Sequence, residues 1–103
     1  MELKLSRWKR NSPPSEANLL AIYRQEGLSP YSWSNAPGDT YTAHIHGYHK
    51  VLYVVRGKIT WILPDLGKEI ETGPGDRLDL PRGTTHAARV GSEGVTCLEA
   101  HVD

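Results

Sequence analysis

The sequence has one cysteine, Cys97, no phenylalanine and no net charge, with 12 basic and 12 acidic residues among 103. A single cysteine excludes an intrachain disulfide and a cysteine-rich structural zinc site. The balanced charge argues against a nucleic-acid-binding protein, which usually carries a basic excess. The N-terminus, MELKLSRWKR, lacks the apolar run of a signal peptide, and no apolar stretch is long enough to cross a bilayer. We therefore predict a cytoplasmic protein with no membrane or nucleic-acid partner.

The length fits one small domain preceded by a helical segment. Residues 1–30 form this N-terminal segment, and a helix is predicted over about residues 13–26. Serine and proline residues suit its first turn, apolar side chains recur on one face, and Gly27 suits its end. We expect the helix to pack on a barrel formed by residues 31–103. A core of this size often needs a partner copy, so we also expect a homodimer.

After residue 30 the pattern changes to short β-prone segments separated by turn residues. Val51–Val55 is apolar on both faces, which predicts a central strand. Arg56-Gly57 predicts a tight turn between two strands, and the Gly-Ser-Glu-Gly segment 91–94 separates two others. About seven or eight short strands at regular spacing indicate an all-β sandwich or barrel.

Histidines are the residues most able to carry chemistry in this sequence. His44 and His46 lie two positions apart on a predicted strand, so both side chains leave from the same face. Two imidazoles placed in this way can hold one divalent metal ion. A hydrogen-bonded histidine cluster without metal is the other interpretation of the pair.

Two longer motifs contain these histidines. Residues 44–57 read HIHGYHKVLYVVRG, and residues 75–86 read GDRLDLPRGTTH. Together they resemble the two signature motifs of the cupin family, and the resemblance extends over roughly residues 31–102. It implies an all-β fold, a double-stranded β-helix or jelly-roll barrel, with one short N-terminal helix added in this chain.

The same resemblance implies a metal site. Three family ligands carry over by position, namely His44, His46 and His86. Such a site takes one divalent transition metal, with Fe, Mn, Ni and Zn all suited to it.

The sequence departs from the family pattern at two positions. Val90 stands in place of an asparagine, and Lys50 stands in place of a glutamate that serves as the fourth ligand. Because a charged ammonium beside a divalent ion is unfavourable, three arrangements are open. Lys50 is neutral next to the metal and acts in acid-base catalysis; or it pairs with an acid such as Glu99 or Asp79; or the site holds no metal and Lys50 binds an anionic ligand.

Other residues are candidates for the same site. His49 is a candidate fourth metal ligand, provided that a bulge after Gly47 turns it inward. Every aromatic residue here has a polar group, which suits a half-wet cavity for a small organic ligand. The predicted substrate-binding residues are Tyr41, Tyr53, Trp61 and His101.

Two functions from different classes follow. The first is a metal-dependent enzyme of dioxygenase, isomerase or lyase type that acts on a small organic molecule, with Lys50 or His49 as its acid-base group. The second is a metal-free barrel that binds an anionic metabolite without catalysis. A barrel that acts only through protein contacts is a third possibility, for which the sequence offers no specific feature. Fold and a histidine cluster do not by themselves name a reaction.

Overall fold

The structure is a computed structural model that describes residues Met1 to Asp103. Strands form 52% of the chain and there is one α-helix, which confirms the predicted all-β class. No helix in the structure is long and apolar enough to span a membrane. In chain order the elements are β1 (Lys4–Ser6), α1 (Glu16–Gln25), β2 (Tyr31–Asn35), β3 (Thr40–His44), β4 (His49–Leu63), a 3-10 turn (Pro64–Leu66), β5 (Lys68–Thr72), β6 (Arg77–Leu80) and β7 (His86–Val102).

The two longest strands, β4 and β7, lie side by side in the barrel and are called the spine strands here. They pair antiparallel from His49 opposite Val102 to Ile62 opposite Ala87. The strand order is β1-β6-β4-β7-β2, with β3 added to β7 and β5 added to β4. Because β3 and β7 are neighbours, the end of one strand lies beside the start of the other, and this is where the candidate site forms.

Gly57 lies inside β4 and does not end a strand. Its φ is 80°, and a Cβ at this position would overlap the carbonyl group of Gly94 on β7. The register between the two strands shifts here, and segment 91–94 is the extra length on β7. The predicted tight turn at Arg56-Gly57 is therefore wrong: the glycine forms a bulge that bends one continuous strand, as at a barrel corner.

An extra residue on β4, Val55 between the paired residues Val54 and Arg56, reverses which side chains of this strand face the barrel interior. Before it, Leu52 and Val54 pack inside, and after it, Trp61 does. Tyr53 lies on the outer face, in the cluster beneath α1. Both faces of segment 51–55 are buried, which confirms the predicted central strand.

Helix α1 covers the outer face of the barrel. It begins at Glu16, three residues later than predicted, because Ser15 is its N-cap and forms a capping box with Asn18. Tyr23 is 1% exposed. Its hydroxyl donates to the carbonyl oxygens of Val51 at 2.7 Å and Leu98 at 3.1 Å. These bonds tie the helix to both spine strands. The N-terminal segment also contributes β1, which pairs with β6.

Candidate metal centre

Three histidines meet at the mouth of the barrel. His44 ends β3 and lies opposite His86, the first residue of β7. The ring centroids of these two are 4.4 Å apart. The ring of His46 lies 4.6 Å from that of His44 and 5.2 Å from that of His86. The structure thus brings the three predicted ligands together, although His46 lies just after β3 and not on it.

The backbone holds His46 and His86 in their places. The amide of Gly83, in the Pro-Arg-Gly turn that leads to β7, donates to the carbonyl oxygen of His46 at 3.0 Å. Gly83 has a φ of 76°, in the region that favours glycine. The turn therefore connects the loop of His46 directly to the strand that carries His86.

Hydrogen bonds at Nδ1 set the tautomers of two of the rings. Nδ1 of His44 lies 2.7 Å from the carbonyl oxygen of Thr42, and Nδ1 of His86 lies 2.9 Å from that of Thr84. A carbonyl oxygen only accepts, so each Nδ1 carries the proton. Each Nε2 then keeps a free lone pair, which is the arrangement of most metal-bound histidines.

The Nε2 atoms of His46 and His86 are buried and have no hydrogen-bond partner. Nδ1 of His46 is hydrogen-bonded to the hydroxyl of Tyr48 at 3.0 Å. One nitrogen from each of the three histidines lies within 4.8 Å of the others. A buried nitrogen without a hydrogen-bond partner is energetically unfavourable. One divalent ion bound by one nitrogen from each of the three histidines would supply the missing partner. The donor set therefore fits the metal that the sequence motifs imply.

The surroundings favour uncharged imidazoles. Burial, together with the charges of Lys50 and the neighbouring histidines, lowers the pKa of His46 to about 4. Burial is also the main cause that lowers the pKa of His86. Protons therefore compete weakly with a metal ion for these nitrogens near neutral pH.

A cavity of about 370 Å³ opens beside the three histidines. This volume lies within the usual range for small-molecule sites. Tyr41 and Trp61 line it, as expected for predicted substrate contacts. The remaining lining residues are Tyr31, Trp33, Tyr48, Lys50, Ala88 and Glu99.

Tyr53 does not reach this cavity. Its ring packs at 5.3 Å against that of Tyr23, and its hydroxyl accepts from Arg77 at 3.3 Å. The prediction that Tyr53 contacts substrate is corrected here: the extra residue Val55 on β4 places Trp61 inside the barrel and leaves Tyr53 outside.

His49 also lies outside the cluster. Its Nδ1 accepts a hydrogen bond from the backbone amide of Arg82 at 2.9 Å, and only His44, His46 and His86 form the candidate metal group. His49 precedes Lys50 on a regular stretch of β4, so it points to the other face. The structure therefore corrects its assignment as a fourth ligand.

Glu99 is a buried carboxylate in the cavity wall and is 4% exposed. It accepts hydrogen bonds from Tyr31 at 2.7 Å, His101 at 2.6 Å and Trp33 at 3.2 Å. Burial raises the pKa of Glu99, but the hydrogen bonds from Tyr31 and His101 and the charge of Lys50 together bring it below its ordinary value. The sequence named Glu99 as a possible partner of Lys50 but not among the predicted substrate contacts, although it alternates with His101 on the last strand.

Lys50 pairs with this carboxylate. Its Nζ lies 3.5 Å from Oε2 of Glu99, which is one of the three arrangements that the sequence left open. Asp79, the other acid considered, is bound instead to Arg77 at 2.8 Å. His101 lies beside the cavity, where its ring stacks on that of Tyr48 with centroids 4.0 Å apart.

An antiparallel barrel with a histidine triad at its mouth is the arrangement that the cupin motifs imply. The sequence profile of the cupin domain matches residues 32–100, and the chain belongs to the cupin family. No curated protein sequence matches the chain.

Solved structures show the same fold. The polyketide cyclase RemF from Streptomyces resistomycificus is 26% identical with a TM-score of 0.63, and the match covers 74% of this chain and 55% of RemF. KdgF from Halomonas sp. is 23% identical with a TM-score of 0.61, over 74% of this chain and 69% of KdgF. The DMSP lyase DddQ from Ruegeria pomeroyi is 22% identical with a TM-score of 0.66, over 74% of this chain and 38% of DddQ.

Proposed function

We propose that this chain is a mononuclear metalloenzyme, of dioxygenase, isomerase or lyase type, that acts on a small organic molecule. One observation carries the proposal: the buried Nε2 atoms of His46 and His86 have no hydrogen-bond partner and lie in one cluster with a nitrogen of His44. The cofactor in this proposal is one divalent transition metal, Fe, Mn, Ni or Zn. The similarity to a polyketide cyclase and a DMSP lyase supports an enzyme acting on a small molecule.

Each part of the cavity has a role in this proposal. A bound metal would polarise a substrate carbonyl or activate dioxygen. His44, His46 and His86 would hold it, since one nitrogen of each lies within 4.8 Å of the others. Tyr41 and Trp61 would pack against the substrate and exclude water. Lys50, whose Nζ lies 3.5 Å from Oε2 of Glu99, would be the acid-base group that faces the substrate.

Metal analysis tests the triad. The wild-type chain, reloaded with Fe, Mn, Ni or Zn and freed of excess ion, is expected to hold about one ion per chain. The His86→Ala variant is expected to hold almost none, because it lacks one of three ligands. The readout is plasma mass spectrometry, with circular dichroism to show that the variant folds.

The matched control is His49→Ala, since His49 lies outside the cluster and makes its hydrogen bond to Arg82. This variant is expected to keep the wild-type metal content. Absence of metal from the reloaded wild-type chain, or equal loss in both variants, would contradict the proposed site.

The proposal includes a homodimer in the cytoplasm. Strand β2 ends the strand order, so one of its sides has no strand partner, and a free edge is a surface on which a second copy can pair. Cys97 is buried and free, and free thiols are usual in reducing compartments.

A further inference from the structure

The hydrogen bonds around Glu99 leave the donors of Lys50 largely unused. Tyr31 and His101 donate to Oε2 of Glu99, and Trp33 donates to Oε1. The carboxylate is therefore already well bonded without the lysine. The ammonium lies 3.5 Å from Oε2, longer than the roughly 2.7–2.9 Å of a charge-assisted hydrogen bond.

Lys50 is nevertheless almost removed from bulk water. It is 9% exposed, and it lines the same cavity as the three histidines. An ammonium group has three donors, and here they face a space that a ligand can enter. A buried cation with unused donors is a recognition group for an acceptor that carries negative charge.

Apart from the ion pair with Glu99 at 3.5 Å, the groups at the cavity leave the donors of this cation free. The Nδ1 protons of His44 and His86 are used in hydrogen bonds to backbone carbonyl oxygens and do not point to a ligand. Glu99 has its oxygens occupied and is 4% exposed. The ligand-facing charge of the cavity is therefore the ammonium, with a metal ion adding further positive charge when bound.

We infer that Lys50 is the specificity-determining residue of the cavity, and that it selects small carboxylates. This inference rests on the proposed function for the reaction, but the recognition step itself does not require the metal. The carboxylate oxygens accept from Nζ of Lys50, while the body of the ligand packs against Tyr41 and Trp61. The aromatic walls give the body of such an acid apolar surface to pack against.

Binding of benzoate to the metal-free full-length chain tests the inference, with benzamide as the neutral ligand of similar shape. Isothermal titration calorimetry is expected to show at least about ten-fold tighter binding of benzoate than of benzamide by the wild type. Lys50→Met is expected to remove this preference and Lys50→Arg to keep it. Lys58→Met is the matched control, since Lys58 has a side chain 63% exposed and lies 3.8 Å from Glu71.

A second measurement does not depend on the folding of a variant. In the wild-type chain, the side-chain NMR signal of Lys50 is expected to shift on addition of benzoate and to stay in place with benzamide. Failure of the wild type to bind benzoate, equal binding of benzoate by Lys50→Met, or an unmoved Lys50 signal would overturn the inference.

The result of the benzoate experiment can be distinguished from the result of the metal analysis. If the chain prefers benzoate through Lys50 but takes up no metal, the carboxylate site is supported and the proposed metalloenzyme is ruled out. If the chain takes up metal but shows no preference for benzoate, the carboxylate site is ruled out and the proposed metalloenzyme stands.

Discussion

At the residue scale, the main departure from the family pattern is a relocated negative charge. Lys50 occupies the position where the cupin motif has a glutamate, and it lies opposite His101 on β7. Glu99, two positions from His101 on the same strand, supplies the carboxylate instead. Diagonal neighbours across two strands are close enough for long side chains to interact. The cavity thus keeps an acid, but that acid binds side chains of the wall and not the histidine cluster.

The pKa of His46 leads to a prediction about stability. Its value falls from 6.5 to about 4 in the folded chain, so between these values the unfolded chain binds more protons. The contribution of His46 to the free energy of unfolding is therefore fully present above about pH 6.5, and it is lost as the pH falls toward 4. Urea unfolding of the metal-free chain is expected to give a free energy of unfolding that decreases from pH 7 to pH 5.

The variant His46→Gln isolates this effect, because glutamine does not titrate. Its free energy of unfolding is expected to depend less steeply on pH than that of the wild type in the same interval. Parallel curves for the two proteins would show that His46 does not remain neutral in the folded chain.

At the scale of elements, the bent spine strands decide which residues meet. Before Val55 the even-numbered residues Leu52 and Val54 face the interior, whereas beyond it the odd-numbered Ile59 and Trp61 do. A β-strand alternates its side chains strictly, so only an extra or skipped residue can produce this change. The position of Trp61 in the cavity wall therefore depends on the extra residue Val55.

Gly57→Ala tests a second feature of the bent strands, the close approach of β4 to the backbone of Gly94. The substituted residue would adopt a φ of 80°, and its Cβ would overlap the backbone of Gly94. Both effects are unfavourable, and together we expect a loss of about 3 kcal/mol in the free energy of unfolding. Urea denaturation measures it.

Gly67→Ala is the matched control for the backbone angle. Gly67 also has a positive φ, 59°, but a Cβ there meets nothing within 4 Å. We expect it to lose only about 1 kcal/mol, from the left-handed conformation alone. Equal losses in the two variants would mean that the contact with Gly94 contributes little.

At the scale of the whole molecule, the open edge of β2 leads to a prediction about assembly. Light scattering is expected to give a mass twice that of the 103-residue chain. Ser32 is exposed on β2, so Ser32→Lys places like charges on the two facing edges and is expected to shift the mass toward the monomer. Ser92→Lys, at an exposed position of the bulge, makes the same chemical change away from that edge and is expected to leave the mass unchanged. A wild-type monomer would contradict the proposed homodimer.

Much of the fold and three members of the candidate site were predictable from the sequence. Apolar alternation, turn residues and the spacing of Gly75, Pro81, Gly83 and His86 are local properties, and each can be read along the chain. The cupin motifs added the positions of the histidines relative to the barrel. This is why the class of fold and the meeting of His44, His46 and His86 were correctly expected.

The placements of Gly57, Tyr53 and Glu99 were decided only by the tertiary structure. Gly57 forms a bulge and not a turn because β7 continues past it and pairs on both sides of the bend. The extra residue Val55, at the register shift between Val54 and Arg56, separates Tyr53, which lies beneath α1, from the inward-facing Trp61. Glu99 acquires its role because Tyr31, Trp33 and Lys50, which are distant in sequence, surround it in the folded chain. Such contacts depend on strand pairing across long sequence separations, and local patterns do not encode them.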